Sequence, residues 1–411
     1  MNQEKISGWG SYPSILSNCH TPNNQDTLLK DLTQLKDQFC IPRGSGRSYG
    51  DCALSPNIIY SERFNTILAF DSNNGIIKCE SGITLARLLE IIVPKTWLLG
   101  VLPGTQFITL GGAIASDIHG KNHHRVGSFS EFVLSFDLLT SDGQIITCSR
   151  TENPELFYAS CGGLGLTGFI LNATLQLVKI NSSQIEQNTL KARSLQESID
   201  LILEHTDAPY SVSWLDCTAS GKNLGRSLLL TGKLSQEKSN LSFSQTKALR
   251  IPPKLIRPWL QANTIKCFNY FYYYWPRKKE NIFSLNQYFF PLDQFQNWNL
   301  WYGKNGFTQY QFVIPVENTK VLKEILLKAQ NFKMHSYLSI LKILGAANKN
   351  YLSFAQAGLT VTLDFKISSD LWAFLDELDQ IIIAAGGRIY LTKDCRIHAK
   401  NFRLMYPEWQ K

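Results

Sequence analysis

No run of about 18 predominantly apolar, uncharged residues occurs in this chain, which excludes a membrane-spanning helix. Nor does the opening, MNQEKISGWGSYPSIL, contain the apolar core of a secretory signal, so a cytoplasmic protein is expected. The nine cysteines are odd in number, widely spaced and free of any CxxC pair. That pattern excludes a disulfide framework and zinc-finger spacing, and they read as reduced, mostly buried thiols. A net charge of +8 is modest for 411 residues, and the basic residues are scattered. A nucleic-acid partner is therefore not expected, whereas an anionic ligand or membrane surface is permitted. No GxGxxG joins a strand to a helix with an acidic residue ~20 positions on, and no GxxxxGK[ST] occurs, so neither a Rossmann fingerprint nor a P-loop is present. Internal repeats and low-complexity segments are also missing.

What the chain does have is glycine in clusters. The stretch Leu102 to Arg125, LPGTQFITLGGAIASDIHGKNHHR, holds four glycines and three of the seven histidines. Its glycines allow close backbone approach, and Thr105, Thr109 and Ser116 supply hydroxyls at the same turns. An earlier loop, PRGSGRSYGD from Pro42 to Asp51, has the same character, and a third cluster, CGGLGLTG, precedes an apolar run. Taken singly, each reads equally well as a tight turn. Together they suit one large phosphate-bearing ligand, with Gly44, Ser45, Gly46, Arg47 and Ser48 forming an anion-binding nest.

At ~100–200 residues per domain the length suggests two domains. In the first, a polar lead-in precedes a helix over Thr27 to Gln38, and brief strands NIIYSER, TILAF and GIIKCESG follow. A helix from Leu85 to Ile92 sits behind the N-cap Thr84. The run EFVLSFDLLTSDGQIITCSR reads as a hairpin, Pro154 to Ser160 as a helix, and a last strand closes this domain near residue 180. Residues 181–411 alternate helical pieces (Leu195 to His205, Thr319 to Gln330, Leu371 to Ala385) with the strands SVSWLDC, QYQFVIP, LTVTLDF and GRIYLTKD. That alternation predicts an antiparallel sheet flanked by helices.

The motifs PRGSGRSYGD, LPGTQFITLGGAIASDIHGKNHH and ELFYASCGGLGLTGFI, in this order, resemble the vanillyl-alcohol-oxidase type of FAD-linked oxidases. The runs DIHGKNHH, YSVSWLD and IYLTKD resemble the branch of that family that oxidises a polyprenyl-phosphate-linked pentose, as the oxidising half of a bacterial sugar epimerase. The resemblance covers about Pro42 to Tyr406. It implies an α+β fold: a two-subdomain FAD-binding domain of the PCMH type over 1–180, then an antiparallel-sheet substrate domain with flanking helices over 181–411. It implies FAD contacts from Arg43, Gly44, Ser45, Gly46, Arg47, Ser48, Tyr49, Gly104, Thr109, Leu110, Gly111, Gly112, Ser116, Asp117, Ile118, His119, Ile170 and Tyr390. Some relatives tether the flavin through a histidine in the first loop; here Tyr49 stands there, and a non-covalent cofactor is expected.

The reaction so implied moves a hydride to the flavin while a sugar hydroxyl loses its proton, and a fixed cation near the flavin stabilises the charge that develops. Lys393 matches the family's catalytic lysine, and the expected strand puts Ile389, Leu391 and Lys393 on one face. His119, between loop residues, is placed to hydrogen-bond flavin or substrate. HGKNHH lacks the helix spacing and acidic partner of a zinc site, so no metal is expected. Substrate contacts fall by resemblance on Trp214, Tyr310, Lys342, Thr360 and Thr362. Thr360 and Thr362 stand where the family has an asparagine and a reactive cysteine, and Leu344 where it has a phenylalanine. A separate NAD(P)H-dependent short-chain reductase is the implied partner. Residues 255–290, rich in aromatics and carrying Arg257, Lys266, Arg277, Lys278 and Lys279, have two readings: a mobile flap on a membrane surface, at the inner face, that admits a polyprenyl chain, or aromatic core with basic turns. A lactone or polyol oxidase on the same scaffold, and a homologue that has lost catalysis, are the alternative functions.

Overall fold

The helix Leu85–Ile92 forms where the sequence places it. The Thr84 hydroxyl accepts the Arg87 N–H, and Leu85, Leu88, Leu89 and Ile92, spaced as one helical face, are all buried. These residues enter the largest hydrophobic cluster together with Ile77, Ala113, Ile114, Phe136 and Leu175. The structure is a computed structural model describing residues 2–237, 241–245 and 248–411.

Two sheets are built from residues before 180. One is four-stranded, in the order Asn2–Ser7, Ser14–His20, Asn57–Tyr60, Cys40–Arg43; the first pair is antiparallel and the others parallel. The amino-terminal hairpin in it is a correction to the expected polar lead-in. Its residues, including Asn18, Cys19 and His20 paired with 57–59, gain their stability from the neighbouring strand rather than from their own patterning. The first helix runs Gln25–Gln34, starting two residues earlier than expected because Asn24 and Thr27 form a reciprocal cap.

The second sheet is organised on Phe169–Lys179, whose alternating burial marks a strand with one face in the core. It pairs with Ile76–Glu80, Trp97–Leu99 and Val133–Leu139, and the last of these forms the expected hairpin with Ile145–Ser149. The third sheet has eight antiparallel strands in the order Glu280–Ser284, Gln184–Ala192, Ser227–Leu234, Tyr210–Leu215, Ser339–Leu344, Gly358–Lys366, Phe307–Ile314, Arg388–Ile389. Helices Leu195–Glu204, Lys320–Asn331 and Leu371–Ala384 cover one face, burying Tyr310, Phe312, Val361, Leu363 and Phe365.

Register decides what the opposite face presents. Gln309 pairs with Asp364, Gln311 with Thr362, Lys342 with Thr360 and Trp214 with Ile340. Since paired residues project to the same side, Trp214, Lys342, Thr360, Thr362, Asp364, Gln309 and Gln311 form one polar-to-aromatic surface. The expected terminal strand is cut short: only Arg388–Ile389 pairs, and residues 391–393 form a turn in which the Lys393 N–H donates to the Tyr390 carbonyl. Lys393 is thus aimed by a turn and not by strand alternation.

Candidate active site

The first glycine loop leaves its amides open. Among the described residues, none of the N–H groups of 44–48 donates to a protein acceptor. Gly44 is held against Thr109, where any Cβ would overlap the threonine hydroxyl, so the first and second glycine loops touch at this point. Arg43 is turned beneath the loop, its guanidinium donating to the carbonyls of Ala53 and Ser7 at 3.0 and 2.7 Å. Its side chain therefore supports the loop rather than facing a ligand. Arg47 lies on the other side, its guanidinium 4.1 Å from the Trp9 ring and 5.3 Å from the Phe107 ring, with a buried Nε that has no partner.

Thr109 caps the short helix Leu110–Ala115 by accepting the Gly112 N–H at 3.2 Å. The Leu110 and Gly111 amides donate to Ile83 and Ser81 carbonyls. These three amides are committed to the fold, and the amides left open for an anion are those of the first loop. Gly104 has open space where a Cβ would project. Ile118 and Ile170 are buried apolar residues of the main cluster. Asp117 is a correction to the expected cofactor contact: its carboxylate accepts from Asn348, Asn350 and Ser353 side chains and the Ser130 amide at 2.6, 2.8, 2.6 and 3.1 Å. With three donors on Oδ2 and one on Oδ1, it ties the loop 348–353 to the second glycine loop. Ser116 contributes its carbonyl, which accepts the Tyr390 hydroxyl at 3.0 Å.

His119 is 8% exposed and surrounded by rings and cations. Tyr390 and Phe354 lie 5.2 and 5.5 Å away, ring to ring. Burial, reinforced by Lys342, His123 and Lys393, pushes its pKa well below the ordinary histidine value, so the ring is neutral. Burial brings Lys121 down to about 7, with Lys342 adding to the effect, and Lys342 itself to about 8. Lys121 donates to the Tyr288 carbonyl, and Lys342 has no hydrogen bond or ion pair among the described residues.

Lys393 is half-buried beside the Tyr49 ring, 5.1 Å from its centroid, and donates to Gln309 Oε1. Gln309 passes its own N–H to Asp364 at 2.6 Å, and Asp364 also accepts the Tyr302 hydroxyl at 3.1 Å. Burial and then the Lys342 charge lower the Lys393 pKa, while Asp364 opposes them; burial raises Asp364. Three lysines against one carboxylate make this cleft electropositive.

The FAD binding domain family matches residues 15–149. Decaprenylphosphoryl-beta-D-ribose oxidase of Mycolicibacterium smegmatis is 34% identical over 99% of this chain and 93% of that protein. The chain belongs to the vanillyl-alcohol-oxidase type of FAD-linked oxidases. An uncharacterized protein from the mprA 5' region of Streptomyces coelicolor is 30% identical over 79% of the chain and 92% of its own length. The L-gulonolactone oxidase of Bos taurus is 32% identical over 39% of this chain and 36% of that protein.

The enzyme is an FAD-dependent oxidoreductase, α+β in class, with a PCMH-type FAD-binding fold followed by a helix-flanked antiparallel sheet. Its residues fit the cofactor. Five unpaired consecutive amides suit a pyrophosphate, the space at Gly104 admits a ligand against bare backbone, and the unpartnered buried atoms Arg47 Nε, His119 Nδ1 and Thr392 Oγ1 await acceptors or donors. Bound there, FAD supplies a two-electron acceptor for a hydride leaving an alcohol carbon.

Of the expected substrate contacts, the structure brings Lys342, Thr360 and Thr362 to the site face. Trp214 shares that face but is roofed by the helix Ala262–Tyr274, with Tyr272 4.8 Å away. Tyr310 is a correction. It points to the helix-covered side, where its hydroxyl donates to Asp379 at 2.8 Å within the core. Its neighbours Gln309 and Gln311, absent from the sequence expectations, occupy the site instead, as does Asp364. The signal was available: FTQYQFVI and LTVTLDF each place polar side chains at alternate positions of wholly buried strands.

Proposed function

We propose that this enzyme oxidises the 2-hydroxyl of a polyprenyl-phosphate-linked pentose to a keto sugar, as the first half of an epimerisation. The observation that carries this reading is the convergence of Lys342 and Lys393 on His119, with Lys121 next to Lys342 and the Asp364 carboxylate acting on Lys393. Such a cleft favours a phosphate-bearing substrate and, at Lys393, the charge that accumulates as the hydride departs. Lys342 is the cation left free for the phosphate, and Lys393 holds or moves the proton beside Gln309. Thr360 and Thr362 line the sugar pocket, and Trp214 offers the apolar wall next to it. In this reading residues 1–180 bind FAD, residues 181–411 bind substrate, and a separate NAD(P)H-dependent short-chain reductase reduces the ketone.

The lipid tail favours work at a membrane surface. Seven Lys and Arg residues but a single acid, Glu280, lie between Arg250 and Ile282, against a net +8 for the whole chain. Leu255, Trp259, Phe268, Tyr270, Phe271, Tyr274, Trp275 and Ile282 are each more than half exposed there. The opposite stripe of the same helix, Ile265, Asn269 and Tyr273, is buried, and Asn269 and Tyr273 bond to Asp216 and the Ala192 carbonyl. An anchored aromatic platform rimmed by cations matches an anionic bilayer interface. No helix among the described residues is long and apolar enough to cross a membrane.

The test is anaerobic flavin absorbance with polyprenyl-phosphoryl ribose, free ribose and sugar lactones. Bleaching by the lipid-linked sugar alone is expected. Bleaching by a lactone or free polyol would reassign the substrate, and a yellow protein that none of them reduces would mark a homologue without this activity.

A further inference from the structure

The His119 ring is held by a chain of hydrogen bonds whose direction is set at its far end. The Thr360 hydroxyl lies 2.8 Å from the Phe312 carbonyl, which can only accept. Its single proton is used there, so toward Gln311, 3.1 Å away, Thr360 must act as acceptor. The Gln311 group facing Thr360 is therefore its NH2, and the same nitrogen lies 3.0 Å from His119 Nε2. With both amide protons donated, Nε2 is an acceptor and the ring proton of the neutral imidazole sits on Nδ1. That Nδ1 is buried and has no partner among the described residues.

We propose that Gln311 and Thr360 are positioning residues that lock His119 in its Nδ1–H tautomer, making it a hydrogen-bond donor to an acceptor oxygen brought into the cleft by FAD or by the substrate. His119 in this state cannot take the substrate proton at Nε2, which Gln311 occupies. The neighbouring ring behaves oppositely: His123 Nδ1 accepts the Gly345 amide at 3.0 Å, so its proton is on Nε2, 3.1 Å from Ser128 Oγ. Adjacent histidines thus carry their protons on different nitrogens, each set by its own partner. The Lys342 and Lys393 charges facing His119, with His123 beside it, disfavour a second proton on the ring. The Thr360 hydroxyl fixes this direction, whereas the asparagine that the family resemblance puts at the position could face Gln311 with either end of its amide.

The tautomer lock rests on the protein's own hydrogen bonds and not on the proposed substrate, so the test of the lock uses no turnover; only the identity of the acceptor draws on the proposed function. In ring-15N-histidine-labelled FAD-loaded enzyme, the His119 signal, assigned by its loss in His119→Ala, is expected to show the Nδ1–H tautomer without titrating between about pH 5 and 8. Thr360→Ser should preserve it. Gln311→Glu, which can only accept at this position, should transfer the proton to Nε2 or yield imidazolium. A wild-type Nε2–H tautomer, titration near the ordinary histidine pKa, or no change in Gln311→Glu would overturn the lock. Comparing apoprotein, FAD-loaded protein and FAD-loaded protein with polyprenyl-phosphoryl ribose identifies the acceptor. A shifted Nδ1–H resonance on FAD loading assigns it to the cofactor, a shift only on adding the lipid sugar assigns it to the substrate, and a resonance unmoved by both would refute the donor role.

Discussion

Gly50 lies so close to Asp394 that a Cβ on the glycine would overlap the Asp394 carbonyl oxygen. The Tyr49 amide reaches the Thr392 carbonyl at 3.3 Å from the same loop. The turn carrying Lys393 is therefore docked directly on the loop whose open amides suit the FAD pyrophosphate, although the two are separated by more than 300 residues of chain. The first glycine loop and the Lys393 turn form one mechanical unit.

Gly50→Ala should separate them. Overpacking of this kind costs about 1–3 kcal/mol, and because the contact is backbone to backbone no side chain can yield. The expected outcome is a lower melting temperature together with loss of most bound FAD, measured by thermal unfolding and by the flavin absorbance of the purified variant. Wild-type FAD content would show that the docking is not needed to hold the cofactor.

Lys393→Ala should retain FAD while slowing anaerobic reduction by roughly 10²–10³-fold, the usual cost of removing one group that stabilises developing charge. Because burial and Lys342 lower the Lys393 pKa, the ammonium is lost as pH rises through a value below the ordinary lysine pKa of ~10.4. Reduction rate in the wild type should fall on the alkaline side accordingly. In Lys393→Arg, which stays charged, that limb should disappear even if the plateau is lower. An alkaline limb unchanged in the arginine variant would assign the titration to another group.

Much of the fold was legible because it depends on patterns that a short window contains. The capped helix Leu85–Ile92, the hairpin through Ser141, Asp142 and Gly143, and the helix Pro154–Ser160 follow from local caps, turn chemistry and periodicity. The amino-terminal hairpin and the shortened strand at Arg388 were not, since both are decided by partners distant in sequence. The site divides in the same way. Glycine loops, His119 and Lys393 stand out in one dimension, while the roles of Gln309, Gln311 and Asp364 emerge only when two buried strands are put in register. Tyr310 misled because its chemistry suits a sugar, yet its parity along the strand commits it to the core.

The buried lysines give apoprotein stability a definite pH dependence. Lys121 and Lys342 have folded pKa values of about 7 and about 8, below the unfolded value of ~10.4. Between those limits the unfolded chain binds more protons, so unfolding free energy rises with pH, by at most about 1.4 kcal/mol per pH unit for each lysine. FAD-free protein should melt higher at pH 9 than at pH 7, and Lys121→Met should flatten the slope. A melting temperature that falls over this interval in the wild type would contradict it.

Membrane docking predicts selectivity for charge as well as for lipid. Wild-type enzyme should sediment with vesicles containing phosphatidylserine or phosphatidylglycerol, weakly with pure phosphatidylcholine, and less in high salt. Replacing Lys278 and Lys279 with glutamate should weaken binding tenfold or more, each basic residue near such a surface contributing about 1 kcal/mol. Phe271→Ser with Trp275→Ser should weaken binding to both vesicle types, because it removes apolar insertion rather than charge. Flavin reduction by a detergent-dispersed, short-chain substrate should be unaffected in either variant. Equal binding of wild type and the glutamate variant to anionic vesicles would exclude the basic rim as the contact.

Thr362 makes the pocket chemically silent toward thiol-directed agents. It projects from the same sheet face as Lys342 and Asp364, opposite Gln311, at the position where the family resemblance puts a reactive cysteine. A threonine hydroxyl is not a nucleophile of thiolate strength, and none of the nine cysteines belongs to the strand Gly358–Lys366. Inhibitors that act on relatives through a cysteine adduct should leave the mass of the wild-type enzyme unchanged. Thr362→Cys, a change of similar volume, should gain one adduct per chain when the flavin is cycled with substrate. An adduct on wild-type protein that persists in Thr362→Val would place the reactive group elsewhere, and the cysteines beside the Lys393 turn, Cys52 and Cys395, would then be the positions to replace in turn.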